Sequence, residues 1–285
     1  MNSNNYNLNK LFTKQTLNDL VNHSSNDFFK AIIHQYLDDY DNFSYKEIFS
    51  NIYKYMSKHY RNEYFYQNTL LNKLLLGRHN INTTTALTQL PIEKSKADFI
   101  LINGKAVVYE IKTELDNFDR LYSQINDYYK AFDYVCVVTS EDNFDKVSNL
   151  LVDSTVGICI LSNKNTLQFK KEPEQFRDFI NHRSLYKILR KKEIENIILK
   201  YNASLPSTKP VFYYEECFNV FKSIPIDLLY KDFLLELKNR KQTISNEAIR
   251  EIPYELKSVY YFSSHSRNDS YKLNDFLNSK YEEEC

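Results

Sequence analysis

ADFILINGKAVVYEIK, residues 97–112, consists of two apolar, largely β-branched runs joined at Asn103-Gly104, the pattern of a β-hairpin. Its register decides which side chains share a face, because a one-residue slip moves every side chain to the other side of the sheet. A two-residue Asn103-Gly104 turn pairs Ile102 with Lys105. Asp98 then opposes Tyr109, and Glu110 points the other way. A three-residue Ile102-Asn103-Gly104 loop, with the glycine in the left-handed position of a G1 bulge, pairs Leu101 with Lys105. Asp98 then opposes Val108, and Glu110 is its diagonal neighbour on the same face. Lys112 joins them by the period of two. The bulged hairpin is the expectation, because only it gathers Asp98, Glu110 and Lys112.

Working outward, residues 116–132 carry a helical period and DYVCVVT, residues 133–139, is a near-continuous apolar run of the kind buried in α/β sheets. Strand, helix and strand in succession imply a parallel crossover. A helix near 141–151, the strand VGICIL at 156–161 and a short strand at LQFKK, 167–171, extend the α/β region. Before the hairpin, TTTALTQLPI (83–92) reads as a looser strand. It follows a helix from Arg61 to Leu76 that Gly77 ends.

Residues 1–58 read as helices, with Leu11, Leu17, Leu20 and Val21, then Phe28, Ile32, Ile33, Tyr36 and Leu37, at three- and four-residue spacing. Ser25 or Asn26 caps the second helix. Ser44 with Glu47 forms a capping box for a third, which ends near His59. After Pro173 the period is helical again. Leu185, Ile188, Leu189, Ile194, Ile197, Ile198 and Leu199 make one apolar face, and further helices are expected at 212–222, 226–240 and 245–262. The expected organisation is a helical region at 1–58, an α/β core at 59–172 and a C-terminal helical domain at 173–285.

Composition removes several chemistries. The chain has only three glycines, Gly77, Gly104 and Gly157, so neither a Walker loop, a dinucleotide fingerprint nor a Gly-x-Ser-x-Gly elbow can be written. The cysteines Cys136, Cys159, Cys217 and Cys285 are scattered without zinc-ligand spacing, which suits a reduced, cytoplasmic protein. MNSNNYNLNK lacks the pattern of a signal peptide, and no apolar run approaches the roughly 18–20 residues of a membrane span. Lys and Arg balance Asp and Glu at 37 each, but residues 181–241 hold 12 basic against 7 acidic side chains and residues 242–285 hold 5 against 8. Arg183, Lys187, Arg190, Lys191 and Lys192 in the basic segment serve either as a track for nucleic-acid phosphates or as the wet side of an amphipathic helix. YEEEC reads as a solvated end.

Two carboxylates and a lysine at a sheet end suit a divalent cation and an attacking water. Carboxylate oxygen is the ligand Mg²⁺ prefers, and the cation acidifies its water and polarises a phosphodiester. Glu-x-Lys also occurs at 236–238 and 255–257, but there in helical patterns that point the two side chains apart. The following helix adds Asp116, Arg120, Gln124 and Tyr128 at successive four-residue steps, a polar stripe beside Phe118, Leu121, Ile125 and Phe132.

With Asp98, Glu110, Ile111, Lys112, Gln124 and Tyr128 in this order, residues 60–162 resemble the PD-(D/E)XK nuclease superfamily in its Gln-x-x-x-Tyr branch, which includes the RecB nuclease domain and lambda exonuclease. More narrowly, residues 109–139 look like a group of largely uncharacterised bacterial proteins that carry this core between helical flanks. Asp98 follows Ala97, so the proline that commonly precedes this aspartate in the family is absent.

The resemblance implies a restriction-endonuclease-like αβββαβ core with a mixed sheet, flanked by N- and C-terminal helical regions. It also implies a Mg²⁺- or Mn²⁺-dependent nuclease acting on DNA, in a defence or mobile-element setting. Asp98, Glu110 and the Ile111 carbonyl would bind the metal. Lys112 would orient or deprotonate water, Gln124 and Tyr128 would position the lysine or touch the scissile phosphate, and Arg120 would bind backbone phosphate. An acidic residue from the helix before the sheet often joins such a site. Glu63 is the candidate, since it shares a face with Leu70 and Leu74. Arg190, Lys191 and Lys192 are further candidates for nucleic-acid contact, and the helical flanks for a second copy or a protein partner. The alternative is a catalytically silent nucleic-acid-binding or protein-interaction module built on the same fold.

Overall fold

The computed structural model describes residues 5–23, 26–240, 244–263 and 267–282. The Ser25 alternative for the cap and Cys285 at the solvated end lie outside them. Fourteen α-helices are described. They are Tyr6–Leu11 (α1), Lys14–His23 (α2), Asp27–Tyr36 (α3), Tyr45–His59 (α4), Glu63–Leu70 (α5), Leu121–Tyr129 (α6) and Phe144–Leu150 (α7), followed by His182–Ile188 (α8), Lys191–Tyr201 (α9), Pro210–Phe221 (α10), Ile226–Asn239 (α11), Asn246–Glu251 (α12), Lys257–Phe262 (α13) and Arg267–Asn278 (α14). Six strands form one mixed sheet in sequence order: Thr85–Ile92 (β1), Ser95–Asn103 (β2), Lys105–Lys112 (β3), Tyr134–Ser140 (β4), Gly157–Leu161 (β5) and Leu167–Lys171 (β6). The chain divides into two compact units, residues 1–78 with 242–285 and residues 79–241.

The first unit is helical. Asn26 caps α3 by accepting from the Phe29 N–H at 2.8 Å, and Ser44 and Glu47 close the expected capping box on α4. Asn62 caps α5, which continues as one π-helical stretch, Leu71–Leu75. The two chain segments are joined by buried polar bonds. Asn68 Nδ2 donates to the Tyr53 hydroxyl and the Tyr254 carbonyl at 2.9 and 3.0 Å, and its Oδ1 accepts from the Ser258 N–H at 2.9 Å. The single helix expected at 245–262 is broken into α12, a 3₁₀ turn at Tyr254–Leu256 and α13, because Pro253 cannot continue α12.

The second unit is α/β. Strands β1, β2 and β3 form an antiparallel meander, β3–β4 and β4–β5 are parallel pairs linked through α6 and α7, and β6 returns antiparallel. Ile100, Ile102, Ala106, Val108, Val135 and Val137 make the apolar face under α6, and the same core takes in Leu185, Ile194, Ile197 and Ile198 of α8–α9 and Leu229, Phe233 and Leu237 of α11. Residues 173–241 therefore fold as part of the sheet's own core, and the compact units cross the expected boundaries at 59 and 173. Their broad apolar stripe finds its partner on the sheet.

The hairpin follows neither weighed register. Ile102 pairs with Ala106, Ile100 with Val108 and Phe99 with Tyr109, while Gly104 stands alone at the apex with a φ of 74°. Val108 is thus opposite Ile100, not Asp98. The slip from the expected bulged register is two residues along the pair, so side-chain faces are preserved. The ladder ends at Phe99 with Tyr109, one step before Asp98 and Glu110.

Candidate active site

Asp98, Glu110 and Lys112 occupy the polar end of the sheet face that α6 covers. The Glu110 carboxylate is bound on both oxygens. Oε1 meets Lys112 Nζ at 2.9 Å, and Oε2 accepts from the Tyr128 hydroxyl at 2.5 Å. Lys112 Nζ also donates to Gln124 Oε1 at 2.8 Å, and its main-chain carbonyl accepts from the Thr139 hydroxyl at 2.8 Å. Asp98 is half-buried, and its Oδ2 takes the Ile111 N–H at 2.8 Å. Glu110 and Lys112 are 1% and 7% exposed, so both are almost wholly withdrawn from solvent.

The helix positions its two polar residues by period. Gln124 and Tyr128 are one turn apart and reach Lys112 and Glu110, which are one strand repeat apart. The Tyr128 hydroxyl is also 3.0 Å from the Lys96 carbonyl. Burial, with the charges of Glu110 and Asp98 close by, pushes this phenol well above its usual value, so it serves as a hydrogen-bond donor. The stripe is shorter than expected. Helix α6 begins at Leu121, because the Asp116 carboxylate turns back to accept from the Thr113 N–H and hydroxyl at 2.9 and 2.7 Å. Arg120 is the exposed N-cap of α6, one turn before Gln124.

Glu63 belongs to the helical unit. It is the exposed first residue of α5, ahead of the buried stretch that starts at Phe65, so the inward orientation expected for it is not adopted. In the basic segment, Arg183 pairs with Glu215 and Lys187 with Glu93, while Lys191 lies 3.9 Å from Glu195 and over the Tyr213 ring. Arg190 and Lys192 are exposed at the start of α9. His79 meets Asn103 at the hairpin apex, the opposite end of β2 from Asp98.

Among the described residues no group of three or more His, Cys, Asp or Glu side chains gathers to hold a metal. The donor set still fits Mg²⁺ or Mn²⁺, since such ions are commonly held by one or two carboxylates, with water and substrate phosphate filling the rest. Asp98 and Glu110 supply two hard carboxylates, and the Ile111 main chain adjoins them. Two threonines that the sequence does not single out also touch the site: the Thr88 hydroxyl donates to the Asp98 carbonyl at 2.7 Å, and the Thr139 hydroxyl to the Lys112 carbonyl. Neither carries a signal of its own, because their partners are set by strand pairing. Among the described residues no helix is long and apolar enough to cross a membrane.

The family model described as "Bacteriophage P4 protein cII" matches residues 56–259. "Protein cII" of Enterobacteria phage P4 is 23% identical over 160 residues, which span 55% of this chain and 59% of that protein. No solved structure matches the chain.

Proposed function

The chain belongs to the bacteriophage P4 protein cII family, and from its site geometry we propose that it is a Mg²⁺- or Mn²⁺-dependent nuclease that hydrolyses phosphodiester bonds in DNA. One observation carries this reading. Asp98, Glu110 and Lys112 share one face at a sheet end, and Gln124 and Tyr128 reach Lys112 and Glu110 from the covering helix. The meander β1–β2–β3, then α6, then parallel β4 supports the restriction-endonuclease-like core that this reading implies. A family named for a phage protein agrees with a mobile-element setting.

A divalent cation bound by Asp98, Glu110 and the Ile111 carbonyl would supply a polarised phosphate and an acidified water. The chain's own groups do the rest. Tyr128 fixes the Glu110 carboxylate, Gln124 fixes the Lys112 ammonium, and Lys112 offsets charge that develops on the phosphate oxygens. Arg120, exposed one turn up α6, binds a neighbouring phosphate. The near-complete burial of the Lys112–Glu110 pair favours a second reading, a nucleic-acid-binding module in which that pair is structural.

Cleavage of linear, circular and single-stranded DNA and of RNA, with Mg²⁺, Mn²⁺ or EDTA, separates the readings. The expected result is EDTA-sensitive cleavage of DNA by the wild type that is lost in Asp98→Ala and Lys112→Ala. Equal activity in all three proteins sinks the assignment. Inactivity of all three with DNA binding retained supports the silent module.

A further inference from the structure

Strands β1 and β2 keep one register along their length, with Thr88 opposite Phe99 and Leu90 opposite Ala97. The step between them, Gln89 with Asp98, is missing from the ladder. Gln89 has a φ of 53°, a left-handed value that residues with a Cβ rarely adopt. The other described non-glycine residues with positive φ, Asn42, Glu93 and Asn165, all lie in turns or bends, whereas Gln89 lies inside a strand. No residue is inserted, because the pairs on both sides share one register. The irregularity is therefore a local backbone turn at the residue that faces Asp98, with register kept on both sides of it.

Its surroundings are built around that aspartate. The Thr88 hydroxyl donates to the Asp98 main-chain carbonyl at 2.7 Å. On the other edge of β2, the last backbone pair with β3 is Phe99 with Tyr109, and beyond it the Asp98 carboxylate itself takes the Ile111 N–H at 2.8 Å. Asp98 is thus held through its carbonyl from β1 and through its carboxylate from β3. Strained backbone at a non-glycine residue persists only where neighbouring structure fixes it, and it concentrates at functional sites.

We propose that Thr88 and Gln89 are positioning residues for Asp98, and that the left-handed Gln89 with the Thr88 hydroxyl sets the carboxylate where a divalent cation is bound. This rests on the metal-site reading above. Residues that orient a ligand without touching the metal change metal affinity by about 10–100-fold when altered. Valine strongly resists positive φ, whereas glycine accepts it. Glycine at position 89 should therefore leave the site as it is, and valine should disturb it.

The test is Mn²⁺ titration of the full chain without nucleic acid, followed by electron paramagnetic resonance, with thermal melting of each variant alongside. Gln89→Gly is expected to bind Mn²⁺ within about twofold of wild type and to melt no lower. Gln89→Val and Thr88→Val should weaken binding by about tenfold or more, and Thr88→Ser should restore it. A folded Thr88→Val that melts lower but binds Mn²⁺ as wild type does overturns the proposal, as does tight binding by a folded Gln89→Val. If Gln89→Val fails to fold, the Thr88 pair decides. Absence of Mn²⁺ binding in the wild type, or binding that Asp98→Ala leaves unchanged, removes the metal site itself and the proposal with it.

Discussion

The Lys112 ammonium lies 2.9 Å from the Glu110 carboxylate on the same face of one strand, and the two side chains are 9% and 1% exposed. Removing one partner of so buried a pair leaves an uncompensated charge, which costs about 3–5 kcal/mol. Lys112→Met is therefore expected to lose about that much stability in urea denaturation at neutral pH. Adding Glu110→Gln should recover most of it. A Lys112→Met loss below about 1 kcal/mol would show that Glu110 is not held as a charge by this lysine.

Tyr128 has one hydroxyl hydrogen and two acceptors, Glu110 Oε2 at 2.5 Å and the Lys96 carbonyl at 3.0 Å. Tyr128→Phe removes the donor and leaves buried acceptors short of a partner, at a cost of about 1–3 kcal/mol. The variant should melt lower at pH 7 and cleave more slowly. Wild-type melting and rate in the variant would assign Tyr128 to packing alone.

The same phenol sets an alkaline limit. Tyr128 is raised by burial and by Glu110, and Tyr230 by burial and by Asp133, to which its hydroxyl donates at 2.5 Å. A group whose folded value is raised contributes its full stability below the unfolded value of about 10 and loses it as pH climbs towards the folded value. Melting temperature should therefore fall steadily above about pH 10. Tyr230→Phe, lower at neutral pH, should show a shallower alkaline decline. Parallel curves for the two proteins would remove Tyr230 from the effect.

The face that bears Asp98, Glu110 and Lys112 was legible because strand alternation survives any two-residue slip, and Gln124 and Tyr128 because one helical turn matches one strand repeat. The register itself was not. Whether the apex holds two, three or one residue depends on the geometry of Gly104, which no periodicity encodes. The four-residue spacing predicts an onset of α6 at Asp116, whereas its carboxylate caps the Thr113 turn. Glu63 shares a helical face with Leu70, yet a shared face says nothing about whether the end of that face is covered. The left-handed Gln89 is invisible in TTTALTQLPI, since no glycine or asparagine there signals a positive φ.

Two glycines differ in what a side chain would meet. At Gly104 nothing lies within 4 Å of an added Cβ, but φ is 74°, whereas at Gly157 the Cβ would stand 2.7 Å from Pro173 atoms. Gly104→Asn is expected to fold as wild type, since asparagine tolerates the left-handed region, and Gly104→Val to lose about 1–3 kcal/mol and cleavage through a disturbed apex. Gly157→Ala should destabilise by steric clash whatever the backbone angle. Equal melting of Gly104→Asn and Gly104→Val would show that the positive φ is not required.

In the basic segment, ion pairing separates residues that sequence alone treats alike. Arg183 and Lys187 are paired with Glu215 and Glu93, and their charge is already answered within the fold. Arg190 and Lys192 stand exposed at the start of α9, and Arg120 at the start of α6. Each phosphate neutralised on duplex DNA contributes about 0.9 to the slope of log affinity against log salt. Arg120→Ala should therefore lower that slope by about one and weaken binding without regard to sequence. Arg190→Ala with Lys192→Ala should lower it by up to about two if α9 tracks the backbone, while Arg183→Ala and Lys187→Ala should leave it unchanged. The measurement is fluorescence anisotropy of labelled duplex with Ca²⁺ in place of Mg²⁺, between low and physiological salt. A slope that Arg190→Ala and Lys192→Ala leave untouched assigns α9's basic residues to its solvated side, and confines the DNA contact to the end of the sheet.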